Sequence, residues 1–184
     1  MPRFVYFTAS SFNGFIATED NSLDWLFAVG SAESVDFEGF LVGIDVLVMG
    51  STTYEWVCGH ETLSDSPGKW RDAYGERPAF VFTSRDLPVP EGIDLRLVSG
   101  DVAGHLDSIR DACGGGDVWV IGGGGLAGQF LDAGALDELQ VTMTPVALSA
   151  GAPLFPREVG SDRLELKSAE KLGQFAHLVF EVTG

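Results

Sequence analysis

The sequence predicts an α/β fold built on a largely parallel sheet covered by helices, and three observations carry that expectation. Short β-rich runs alternate with helical patterns along most of the chain. The run Val46–Met49 is continuously apolar and bounded by Gly50, as in a central strand buried on both faces. A second apolar run, Val118–Ile121, ends in four glycines and passes straight into a helical pattern.

Taken in order, Phe4–Ala9 reads as the first strand and Ser10–Asn21 as a glycine-containing loop. A helix is expected to begin near Ala32 and to carry Val35, Phe37, Phe40 and Leu41; it leads into the strand Val46–Met49. Thr52 to Val57 suits a short helix. Cys58 to Arg77, rich in Gly, Ser, Asp and Pro, reads as a long connection. Ala79–Thr83 and Leu95–Val98 are strands. Asp101 then stands where a helix cap is expected, before Val102, Leu106, Ile109 and Cys113 on one stripe. Gly114 to Gly116 would stop that helix. After Val118–Ile121 and the glycines, a helix runs from about Leu126 to Asp132. Leu139–Thr144, Leu164–Ser168 and Ala176–Val182 complete the sheet.

With 184 residues, of which 45% are hydrophobic and 11% aromatic, the chain suits a single globular domain over residues 1–184. A net charge of −16 argues against a nucleic-acid partner, because a phosphate backbone needs a basic face. A small phosphorylated ligand is still compatible, since backbone N–H groups and one or two arginines suffice to hold it. No run approaches the roughly 20 apolar residues that span a bilayer, so no membrane partner is expected. Met1-Pro2-Arg3-Phe4 lacks a signal-peptide pattern, and Cys58 and Cys113 read as reduced thiols; both point to the cytoplasm. His60, His105 and His177 are isolated in sequence, and no metal-ligand spacing is present.

The chemistry concentrates at two strand-to-helix turns. In Ile121-Gly122-Gly123-Gly124-Gly125-Leu126-Ala127 the glycines let the backbone approach a ligand closely. The helix start then offers free N–H groups and partial positive charge to a phosphate. The alternative is a merely tight turn. Gly123 to Gly128 also fits G-x-G-x-x-G, but in the last third of the chain. The strand that follows ends in Thr142-Met143-Thr144-Pro145, without the carboxylate of a Rossmann fingerprint. The second turn, Met49-Gly50-Ser51-Thr52-Thr53-Tyr54-Glu55, puts hydroxyls at a helix start. Ser/Thr capping explains it alone; beside the first turn, it forms a pair able to grip two phosphates.

Ala9 with Asn13-Gly14-Phe15-Ile16-Ala17, and Met49-Gly50 with Thr53-Tyr54-Glu55, resemble the dihydrofolate reductase fold. Val120-Ile121-Gly122-Gly123-Gly124, Ala133-Gly134-Ala135-Leu136-Asp137-Glu138-Leu139 and Gly151-Ala152-Pro153-Leu154-Phe155 fit more narrowly. They resemble the C-terminal reductase domain of the bifunctional riboflavin-biosynthesis enzyme. The motifs fall in order from residue 4 to residue 182. The resemblance implies a three-layer αβα sandwich with a mostly parallel central sheet, binding NADPH, with NADH as the other candidate. It implies that the backbones of Ala9 and Ile16 meet the nicotinamide carboxamide. Thr53 and the turn Gly122 to Ala127 would hold the pyrophosphate, with Gly50, Ser51 and Thr52 also at the cofactor. Thr83, Ser84 and Arg85 would lie near the adenosine ribose, and a cis peptide would join Gly122 to Gly123.

Three positions depart from the family pattern. Asn13-Gly14 stands for Asp-Gly in the first loop, and Ser51 stands where an arginine usually clamps the 2′-phosphate. The acid of true dihydrofolate reductases falls on Ser34, with Asp36 nearby as a candidate proton donor or, equally, a helix-start acid. Trp25 is a candidate substrate contact or a core aromatic. These readings converge on an NAD(P)H-dependent reductase acting on a small heterocyclic or carbonyl-type substrate. The alternative is a non-catalytic nucleotide-binding or sensing domain of the same fold. A homodimer is expected by resemblance, with Val141 to Leu148 and Gly151 to Phe155 as candidate interface; a core strand explains the same residues.

Overall fold

The computed structural model describes residues 1–30, 36–60 and 67–184. Its centre is an eight-stranded sheet: β1 (Phe4–Ser10), β3 (Ile44–Gly50), β4 (Ala79–Phe82), β5 (Leu95–Val98), β6 (Asp117–Gly122), β7 (Leu136–Met143), β9 (Leu164–Leu172) and β10 (Phe175–Val182). The order is β5-β4-β3-β6-β1-β7-β10-β9. Six strands, β5 to β7 in that order, run parallel; β10 and β9 close one edge antiparallel. Two short strands, β2 (Phe15–Ala17) and β8 (Ala152–Pro153), pair separately above it.

Side-chain alternation splits the core into two layers. Val46 and Val48 of β3 face one way with Phe4, Tyr6, Val118 and Val120. Leu47 and Met49 face the other with Val5, Phe7 and Trp119. Being apolar on both sides is why the run Val46–Met49 is buried throughout. The first layer is covered by α6 (Gly124–Asp132), whose Phe130 ring lies 5.1 Å from that of Phe4. A 3-10 turn, Val102–His105, and α5 (Leu106–Asp111) cover the same layer. The second lies under α2 (Phe37–Val42), α3 (Ser51–His60) and α4 (Pro67–Tyr74). The expected αβα sandwich is therefore the architecture.

Several local expectations change. Cys58 to Arg77 is not one connection: α3 continues to His60, and α4 occupies Pro67–Tyr74. Proline suits the first helical position, and Trp70 and Tyr74, four apart, meet at 4.9 Å with Trp70 fully buried. Asp101 makes no side-chain cap bond, and the segment after it is 3-10 before it is α-helical. α5 ends at Asp111 with Ala112 as its C-cap, and the N–H groups of Gly114 and Gly116 donate to Asp45 at 2.7 and 2.6 Å, so these glycines serve a carboxylate rather than the helix end. A four-residue helix, α1 (Asp24–Phe27), was not expected. The helix expected from Ala32 begins, within the described residues, at Phe37; Ala32, Ser34 and Val35 lie outside them.

Candidate active site

In a parallel sheet the strand ends that lead into helices share one edge, and ligands bind in the crevice there. β3 and β6 are neighbours, so their two turns meet at that edge. A Cβ built on Gly122 would lie 3.3 Å from Thr53 Oγ1; one on Gly50 would lie 3.8 Å from the Gly122 carbonyl. The Gly122–Gly123 peptide is cis. Gly123 caps α6, and its carbonyl accepts from the N–H groups of Leu126 and Ala127 at 3.0 and 3.1 Å. The N–H groups of Gly124 and Gly125 lead the helix, where the intrahelical ladder supplies no acceptor.

Beneath this edge lies a cavity of about 300 Å³. Ala9 of β1, Ile16 of β2, Thr52 and Thr53 of α3, Ile121 and Gly122 of β6, and Gly123, the cap of α6, all line it. Sequence reasoning had singled out these seven. Phe7, Leu23, Leu26, Trp56, Tyr74 and Trp119 complete the apolar walls. Among the described residues no charged side chain lines it. Trp119 was read only as a core strand residue; it lies two before Ile121, and residues two apart on a strand share a face. Its indole N–H donates to the Phe7 carbonyl at 3.0 Å, which fixes the ring as a wall.

A second cavity of about 570 Å³ adjoins the first, sharing Phe7, Thr8, Ala9, Leu26 and Trp119. It extends to Phe27, Phe37, Thr142 and Phe175. Thr142 is buried, and its Oγ1 lies 3.0 Å from Nδ1 of His177, whose ring meets Phe7 edge-on at 5.7 Å. Burial pushes the His177 pKa below the ordinary histidine value, against the opposing pull of Glu170 and Glu138. Neither Thr142 nor His177 had been expected at the site. The signal was the cross-strand position of β10 beside β7, which spacing along the chain does not reveal.

Other expected residues stand apart from the two cavities. Ser51 is half-buried at the start of α3 but does not line either cavity. Arg85 is held in a bidentate pair by Glu55, at 2.9 and 2.6 Å, and its backbone N–H donates to Thr83 Oγ1; Ser84 beside them is exposed. Trp25 sits on α1, but Leu26 of that helix reaches both cavities instead; the indole N–H of Trp25 donates to the Ser22 carbonyl. Asp36, the candidate proton donor, is the N-cap of α2. Its Oδ1 accepts from the Gly39 N–H at 2.8 Å, its carboxylate is exposed, and it lines neither cavity. Its helix-start role is therefore the one realised. Asn13 accepts from the Leu148 N–H and donates to the Leu148 carbonyl; an aspartate could not do both when ionised.

The family model of the RibD C-terminal domain matches residues 2–178. The chain belongs to this family. Protein YwjB of Bacillus subtilis (strain 168) is 29% identical over 175 residues, covering 95% of this chain and 94% of YwjB. A solved structure from Shewanella sp. PV-4, assigned to riboflavin biosynthesis, is 27% identical with a TM-score of 0.79, and each chain is covered completely. The dihydrofolate reductase of Enterococcus faecalis, complexed with NADP(H) and RAB-propyl, shares the fold. It has a TM-score of 0.61 at 19% identity, covering 99% of this chain and 97% of that one. The fold of this chain is reductase-like.

Proposed function

We propose that the chain is an NAD(P)H-dependent reductase in which the cavity under the glycine turn receives the nicotinamide and the larger cavity receives a small heterocyclic or carbonyl-type substrate. The observation that carries this reading is the meeting of two glycine-led helix starts at the mouth of an uncharged cavity. The fit to a dinucleotide is chemical. The neutral dihydropyridine amide of a reduced nicotinamide suits apolar walls; a pyrophosphate suits the N–H groups at the α6 start and the hydroxyls of Thr52 and Thr53. The space beside Gly123 is what a phosphate would use, since a Cβ there meets only Ile16 Cδ1, at 3.8 Å. When bound, such a cofactor supplies a hydride; the chain's part is to fix its ring against Ala9 and Ile16 and to exclude water with Phe7 and Trp119.

Ser51 offers no cation to a 2′-phosphate, and Arg85 is already paired with Glu55, so any preference for NADPH over NADH is expected to be small. A homodimer and a cytoplasmic setting belong to the same reading. Among the described residues no helix is long and apolar enough to cross a membrane. The position of Asp36, spent on a helix cap, favours a substrate other than dihydrofolate, because a pterin needs a positioned acid at its ring nitrogen. It is also the one observation that favours the nucleotide-sensor alternative. Cofactor oxidation followed with dihydrofolate, flavin-pathway pyrimidines and small carbonyl compounds separates the readings. Turnover of a pyrimidine or carbonyl compound is expected, with dihydrofolate slow. Tight cofactor binding with no turnover of any of them would replace the reductase with the sensor.

A further inference from the structure

The Thr142–His177 pair is the polar arrangement at the larger cavity that hydride delivery leaves without a task, and we infer that it supplies the proton that accompanies that hydride. The inference rests on the reductase reading. Apolar rings of Phe7, Phe27, Phe37 and Phe175 dominate the cavity, and Thr8 and Thr142 carry its side-chain hydroxyls. Thr8 Oγ1 leans toward the Ala9 carbonyl at 3.4 Å, whereas Thr142 Oγ1 faces a titratable ring at 3.0 Å. His177 is half-buried: one side packs on Phe7, and the remainder reaches solvent, from which a proton can be replaced. Among the described residues no carboxylate, lysine or histidine lines the cavity itself, and His177 reaches it through Thr142.

The carbon of a substrate C=N or C=O bond accepts hydride from a reduced nicotinamide, which is oxidised by two electrons. The π bond breaks, its pair stays on nitrogen or oxygen, and that atom takes the hydroxyl proton of Thr142. Thr142 Oγ1 regains a proton from Nδ1 of the His177 imidazolium, and the neutral ring is recharged from water. Thr142 is the catalytic residue in this scheme, and His177 is a positioning residue acting through it.

The charged groups that face His177 are acidic. Glu170 lies directly across on β9, Glu138 lies on the same face of β7, and Glu181 is on β10 itself, tied to Lys167 at 2.9 Å. Glu170 and Glu138 favour the imidazolium, but burial outweighs them and the pKa falls below its ordinary value. The donor form is thus most populated in acid and fades as pH rises through a point below the ordinary histidine value.

Two measurements on the full chain test this. The first is an NMR titration of the histidine ring nitrogens, which needs no turnover. An imidazolium donating to Thr142 loses its acceptor in Thr142→Val, so the His177 pKa is expected to drop further, and Thr142→Ser is expected to restore it. A pKa that is unchanged or higher in Thr142→Val would overturn the relay. The second is the pH profile of kcat for the parent and His177→Gln. The parent rate is expected to fall with rising pH. His177→Gln should lose that slope and drop on the acid side by about 10²-fold, the lower end of what a positioned acid contributes, with KM little changed. A His177→Gln enzyme with the parent slope and rate would overturn the relay and leave the reductase reading standing. A parent that neither binds nor oxidises the cofactor overturns both.

Discussion

A Cβ placed on Gly124 would run into the carbonyls of Leu154 and, at 2.5 Å, Pro153, whereas one on Gly125 meets nothing within 4 Å. Gly123 lies between these cases, facing the cavity with only Ile16 Cδ1 near. Three adjacent glycines therefore have three separable jobs: a ligand seat, a close backbone approach to β8, and an open surface. Gly124→Ala is expected to cost about 1–3 kcal/mol, the range for forcing atoms into a packed site. Gly125→Ala should stay within about 1 kcal/mol of the parent. Gly123→Val should fold and lose the cofactor. Urea unfolding of the three variants checks the stabilities, and equal losses in all three would contradict the division of roles. The same reasoning disposes of the G-x-G-x-x-G match, because Gly128 is small so that Arg157 can pack over it, with its Cζ 2.9 Å from the virtual Cβ.

Elements whose pattern is local were legible in the chain. β3 and β6 are apolar on both faces, and the turns after them carry residues that advertise a helix start, so both turns at the mouth of the first cavity were legible in sequence. α4 was missed because Pro67-Gly68-Lys69 reads as a turn, while its evidence for a helix is the single pair Trp70 and Tyr74. β2 and β8, at three and two residues, have no period to detect and exist only because they pair with each other. The second cavity was invisible for a related reason. It is made by β1, β6, β7, α1, α2 and the start of β10, far apart in the chain, so that Thr142 read as an ordinary strand residue and His177 as an isolated histidine.

At the scale of the molecule, Val141 is buried within β7 between β1 and β10, so this part of the expected dimer face is core. The apolar surface that remains near it is Phe12, 69% exposed, whose N–H donates to the Val146 carbonyl. A dimer using this corner is expected to sediment as two chains, and Phe12→Ser should shift it toward one; a parent that stays monomeric at every concentration would contradict the pairing. A nicotinamide dinucleotide seated in the cavity walled by Trp56 and Trp119 would be reported directly by tryptophan emission. Titration with NADPH and with NADH should quench that emission saturably in the parent and leave it unchanged, beyond a linear background, in Gly123→Val. No saturable quenching in the parent, or the same quenching in Gly123→Val, would mean that this cavity does not hold the dinucleotide.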